Sequence, residues 1–164
     1  MSNDLPVQDI ALFAGAKPDG KPVIETLAAI EIEPNQFQLE KSPAFVRGIA
    51  RGDVIAVEKE RGTHTLIKRA GNLCIRVISK NDIALIADRL IPPFEKLGGV
   101  TDFRNERMVV LSIHVSCGFQ AIEALLDQYV GEKSESGWMY GNVYHVENDE
   151  LVPLNWWQEL LKPE

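Results

Sequence analysis

The stretch that most constrains this chain runs from Pro43 to Asp53. It reads Pro-Ala-Phe-Val-Arg-Gly-Ile-Ala-Arg-Gly-Asp and lies between short runs of alternating apolar residues. Gly48 and Gly52 suit a backbone that must turn sharply, because glycine takes positive φ at no steric cost. Asp53, directly after the second glycine, can close such a turn by accepting backbone N–H groups. Alternating runs and tight turns dominate up to residue 70, which points to a small β-barrel or meander.

The pattern divides the chain into four parts: an N-terminal arm (1–21), a small β-barrel-like half (22–70), a ferredoxin-like half (71–147) and a tail with a short helix (148–164). The arm reads as weakly structured and ends in the turn Lys17-Pro18-Asp19-Gly20. Residues 23–32 read as a strand with Ile24, Ile30 and Ile32 on one face, and 36–40 return as its hairpin partner with Phe37 and Leu39 inward. Residues 42–52 form a long connection plugged by Phe45 and Ile49. Strands over 54–59 and 64–69 follow, joined at Arg61-Gly62.

After residue 71 the rhythm changes. A strand over 73–79 leads to a helix over 81–97 with Asn81 or Asp82 as N-cap, and Pro92-Pro93 is expected to break or restart it. A hairpin over 100–103 and 108–115 comes next. Ser116 is expected to cap a helix over 117–130, and a last strand runs over 138–146. The order β-α-β-β-α-β is the split arrangement called ferredoxin-like. The fold class is therefore α+β, with a barrel or meander first and a ferredoxin-like half second. Residues 155–161 read as a short capped helix carrying Trp156 and Trp157.

The residues Glu25 and Leu27, Pro43 and Phe45, Gly48, Gly52 and Asp53, then Gly71 and Arg76 carry a resemblance. They are similar to the pattern of a bacterial family known as domain of unknown function 4265. That pattern is a Glu-x-Leu-x-Ala strand, a Pro-Phe loop leading to Gly-x-x-x-Gly-Asp, and a Ser-Gly-x-Ser-Thr-x-Arg strand. Ala44 interrupts the Pro-Phe pair, and Ala70, Leu73 and Cys74 stand where hydroxyls would be. The resemblance to this bacterial family implies architecture only, and brings no activity with it.

Composition narrows the function classes. The formal net charge of -7 opposes nucleic-acid binding, which needs clustered Lys and Arg along the phosphates. No stretch reaches the ~18 apolar residues of a membrane span, and residues 1–6 lack the basic flank and apolar core of a secretory signal. The two cysteines, Cys74 and Cys117, form no disulfide-scaffold pattern. The expectation is a cytoplasmic protein that contacts neither nucleic acid nor membrane. The three histidines are scattered and neither cysteine belongs to a CxxC, so no metal site and no cofactor are expected.

Two constellations could carry chemistry. Cys117, placed in the first turn of a helix, would have its thiol activated by the helix dipole, with His114 as base. This is the enzymatic alternative, set against burial as an ordinary structural cysteine. The other constellation is a sheet face. If Leu73, Ile75, Val77, Val109, Leu111 and Ile113 face the helices, then Cys74, Arg76, Ile78, Met108, Val110, Ser112 and His114 share the opposite face. That face is too apolar to be left to water. It can receive the first half as an inter-domain interface, pair two copies as a homodimer, or wall a small-molecule pocket with Arg76 as anion anchor.

The leading reading is thus a non-enzymatic binding or regulatory module for a small anionic ligand or a protein partner. Arg76, Ser112, His114 and Asp53 are its candidate binding residues. An immunity- or antitoxin-like interaction protein is a further alternative, because an acidic surface suits a basic partner.

Overall fold

A computed structural model describes residues 5–131 and 135–161. Its first layer is an antiparallel meander in chain order: β1 (Val7–Ala16), β2 (Pro22–Glu33), β3 (Gln36–Leu39), β4 (Val54–Glu58) and β5 (Thr63–Lys68). Every second side chain turns to one core. Ile10, Leu12, Leu27, Ala29, Phe37, Leu39, Ile55 and Val57 form it, closed by Val46 and Ile49 from the 42–53 connection.

Three expectations change here. The N-terminal arm is instead strand β1 from Val7 onward. The turn at Lys17 to Gly20 folds it back on β2 as a hairpin, with Lys17 N–H donating to Lys21 O at 2.8 Å. The inward face of β2 is Leu27 and Ala29, while Ile24 is 53% exposed. Both parities of that strand carry apolar residues, so its partners decide the face: Leu27 pairs with Ile10 and Ala29 with Leu39. The layer is also an open, curled sheet rather than a closed barrel. Its edges β1 and β5 share no ladder among the described residues, and Phe13 N–H to Gly62 O at 2.7 Å ties β1 to the β4–β5 turn.

The second layer runs β6 (Asn72–Ser79), α1 (Ile83–Leu97), β7 (Val100–Arg104), β8 (Met108–His114), α2 (Phe119–Tyr129) and β9 (Ser136–Tyr140). The sheet order is β7-β8-β6-β9, with every neighbouring pair antiparallel. Leu73, Ile75, Val77, Val109, Leu111 and Ile113 meet Ile86, Leu90 and Phe94 of α1 and Ile122 and Leu126 of α2 in one core, as the alternation predicts.

Pro92 and Pro93 do not break α1. The carbonyls that lose their donors belong to Asp88 and Arg89, both exposed, so water can satisfy them. The helix ends at Gly98 (φ 113°), whose N–H reaches Glu95 O. Ser116 does not cap α2. A 3-10 turn, Val115–Cys117, intervenes, and Gly118 (φ 91°) starts the helix at Phe119.

The last strand is shorter than expected, ending at Tyr140. Asn142 is fully buried and continues the ladder with its side chain: Oδ1 accepts Cys74 N–H at 2.9 Å and Nδ2 donates to Asn72 O at 2.8 Å. A separate hairpin follows, β10 (Tyr144–Glu147) and β11 (Glu150–Pro153), turning at Asn148 and Asp149 (φ 52° and 62°). The chain then forms α3 (Trp157–Leu160), and Trp156 and Trp157 pack on the second core.

Candidate functional site

The 42–53 connection lies across the second sheet on the face opposite the helices. Ala44 and Ala50 pack there on Cys74, Val110 and Met108. Phe45, expected as a plug, is 53% exposed. Its neighbours Ala44 and Val46 are buried instead, because the polar anchors grip the backbone at 43–46 and leave the ring outside.

The anchors are the three carboxylates of Glu25, Asp102 and Asp53 and the two guanidiniums of Arg76 and Arg69. Glu25 accepts the N–H groups of Ala44, Phe45 and Val46 at 2.6, 2.9 and 2.9 Å. Arg76, only 5% exposed, donates from Nε to Pro43 O at 3.3 Å and from Nη2 to Val46 O at 2.5 Å. Pro43 O and Ala44 N–H belong to one peptide group, which therefore bridges Arg76 to Glu25. Asp102, buried in β7, accepts Ser42 N–H at 2.8 Å, Ser112 Oγ–H, and Arg51 Nη1 at 2.5 Å. With Ser112 donating to Asp102, the hydroxyl of Ser42 donates to Ser112 at 2.6 Å and accepts Arg51 N–H at 2.9 Å. The two serines thus point their protons one way, toward Asp102.

Asp53 closes the far end. It accepts Ala50 N–H and Ala70 N–H at 2.9 Å each, with Arg69 Nη1 3.9 Å away. Burial pushes its carboxyl up to about 6, against the opposing pull of those two amides and Arg69. Arg69 also donates to Gly48 O at 2.9 Å and stacks on Trp156 at 5.1 Å, linking the chain's end to the seam. Cys74 sits within the seam, its Sγ donating to Pro43 O at 3.4 Å, and burial above all raises its thiol to about 11.

His114 and Cys117 share no hydrogen bond. His114 Nδ1 faces Ser116, at 2.8 Å from its Oγ and 3.1 Å from its N–H, and the ring covers Gly71, where any Cβ would lie 2.4 Å from Nε2. Cys117 sits in the 3-10 turn rather than the first turn of α2, and its Sγ donates to Leu97 O at 3.3 Å. Among the described residues no group of three or more His, Cys, Asp or Glu could hold a metal ion.

Beyond Arg76 the seam opens into a groove of about 460 Å³. Arg47 and Arg76 supply its cationic wall, Trp138, Met139 and Tyr140 of β9 its floor, and Tyr144, Val146 and Leu151 of the hairpin its rim. Gly141 is required at the junction, because a Cβ there would lie 2.7 Å from Cys74 Sγ and 3.0 Å from Arg76 Cζ. Glu123 Oε2 accepts Tyr140 O–H at 2.7 Å. Burial, reinforced by that bond, raises the phenol far above its usual range. Of the four candidate binding residues, Arg76 alone lines this groove. Ser112 and Asp53 are buried in the seam, and His114 lies at the sheet's end.

A model of the family described as "Domain of unknown function (DUF4265)" matches residues 25–138. The chain belongs to the DUF4265 family. Comparison with curated proteins returned no match. The fold is similar to a solved structure described as a hypothetical protein from Neisseria gonorrhoeae, with a TM-score of 0.63 and 16% identity over 83% of this chain and 94% of that one. In this DUF4265 chain the residues that carried the resemblance build the seam: Glu25 and Arg76 grip the Pro43 loop, and Asp53 ties Ala50 to Ala70.

Sequence reasoning missed Asp102, Arg47 and Arg51. Asp102 had a legible signal, a lone carboxylate within the strand pattern between Val100 and Phe103. Arg47 had none, since it gains its role from residues distant in sequence.

Proposed function

We propose that the protein is a non-enzymatic, cytoplasmic bacterial binding module that takes a small organic anion in the groove beside Arg76. Its second half is read as a ferredoxin-like unit, supported by the β-α-β-β-α-β order and the β7-β8-β6-β9 sheet.

The observation that carries the binding reading is the state of Arg76. It is buried within a strand, yet it donates to backbone carbonyls beside the Cys74 thiol, and no carboxylate touches it among the described residues. Carbonyls satisfy N–H groups but leave a buried positive charge that an anion would stabilise. Arg47 adds an exposed second cation, and the groove's volume falls within the range of ~300–1,000 Å³ usual for small-molecule sites.

The test is a thermal-shift panel of organic anions on the wild type and on Arg47→Glu, whose site is exposed. A ligand at ~100 times its Kd adds ~2.7 kcal/mol, and at ~2–4 °C per kcal/mol the Tm rises by roughly 5–10 °C. Arg47→Glu should keep the unliganded Tm and lose most of that rise. A panel with no shift, or a shift that Arg47→Glu leaves intact, would refute the reading.

A further inference from the structure

We infer that the ligand of this groove is a monocarboxylate with an apolar tail, its head on Arg47 and Arg76 and its tail beneath the β10–β11 hairpin. The inference rests on the anion-binding reading above and names the ligand class.

Charge sets the head group. Two arginines and one carboxylate, Glu123, line the groove, a net of one positive charge. A monoanion balances that wall, whereas a second negative charge would be repelled by Glu123.

The hairpin sets the tail. Among the described residues β10 and β11 pair only with each other, in a two-stranded sheet outside both main sheets. Their register places Val146 opposite Leu151 and Tyr144 opposite Pro153, so these four share one face, and Tyr144, Val146 and Leu151 line the groove. That face is still wet, with Val146 55% and Leu151 67% exposed. The other face carries His145 and Glu147, which bond to each other at 3.3 Å. An isolated hairpin has little stability of its own, yet its base is fixed where Leu154 N–H meets Val143 O at 2.8 Å and Trp156 Nε1–H meets Asn142 O at 2.8 Å. A strap held at its base, with apolar side chains turned toward a cationic groove, matches a ligand charged at one end and greasy along its length.

The experiment is calorimetric titration of the full chain with n-alkyl carboxylates from acetate to octanoate, and with octanol as the uncharged control. Affinity should rise about fourfold per methylene as each is buried, until the tail outruns the hairpin. Leu151→Ser, a neutral change at an exposed position, should keep the Tm and flatten the chain-length series. Affinity independent of chain length, with binding still lost in Arg47→Glu, would overturn this inference and leave the anion-binding reading standing. A rise that Leu151→Ser does not alter would also overturn it, since the tail would then lie elsewhere. Octanol binding as tightly as octanoate would overturn both, whereas no carboxylate binding, with a shift in the organic-anion panel still lost in Arg47→Glu, would overturn this inference alone.

Discussion

Asp53 offers the sharpest test of the seam's energetics, because two opposing effects meet on one carboxyl. Two backbone amides and Arg69 favour the ionised form, while burial to 1% exposure opposes it. Burial prevails, raising the group from 3.8 to about 6. The folded state then holds a proton more tightly than the unfolded chain does. Asp53's contribution is fully present below about pH 3.8 and is lost as pH rises through about 6. At ~1.4 kcal/mol per pH unit, the two-unit window amounts to about 3 kcal/mol, of which about 1 kcal/mol is gained between pH 7 and pH 5.

The assay is urea unfolding of the wild type and Asp53→Asn across pH 4 to 8, taking the difference at each pH so that other carboxylates cancel. The wild type should gain on the variant as the pH falls, by ~2–4 °C of Tm between pH 7 and pH 5 when followed thermally. The carboxyl carbon of Asp53 should titrate near pH 6 by NMR. If the difference instead grows as the pH rises, the amides and Arg69 outweigh burial, and the account of this corner is wrong.

Other expectations follow from the same geometry. Gly141→Ala places a methyl 2.7 Å from Cys74 Sγ and should cost ~1–3 kcal/mol in urea unfolding, with a shifted Cys74 environment by NMR. Glu25→Gln removes the charge that three amides share and should cost ~1–3 kcal/mol by the same measurement, whereas a cost near zero would show that the Pro43 loop holds itself. Cys74, buried and with its thiol raised, should resist Ellman's reagent in the folded protein and react once urea unfolds it.

The alternation of Leu73, Ile75 and Val77 against Val109, Leu111 and Ile113 was legible because helices bury one parity and leave the other for a different neighbour. β2 misled because Ile24 and Leu27 lie on opposite parities of one strand, and only pairing with Ile10 and Leu39 chooses between them. The unbroken α1 was hidden because a proline's missing donor is tolerated where the affected carbonyls face water, which local sequence does not state. Arg76 stood out as a charge in an apolar strand. Its partners, two carbonyls about thirty residues away, could not, because main-chain acceptors leave no mark on residue identity. The groove was the least legible, since Arg47, Tyr140 and Leu151 come from three distant segments.

The peptide group between Pro43 and Ala44 has a consequence for how this chain can vary. It separates an anion from a cation that never touch, so each side chain polarises the same amide in the sense that strengthens the other's bond. Glu25 and Arg76 are then coupled partners across an insulating layer one peptide thick. Losing either leaves the survivor facing half of a polarised bond. Replacing both by neutral groups should cost less than the two single losses added together, and viable drift at one position should carry the other with it.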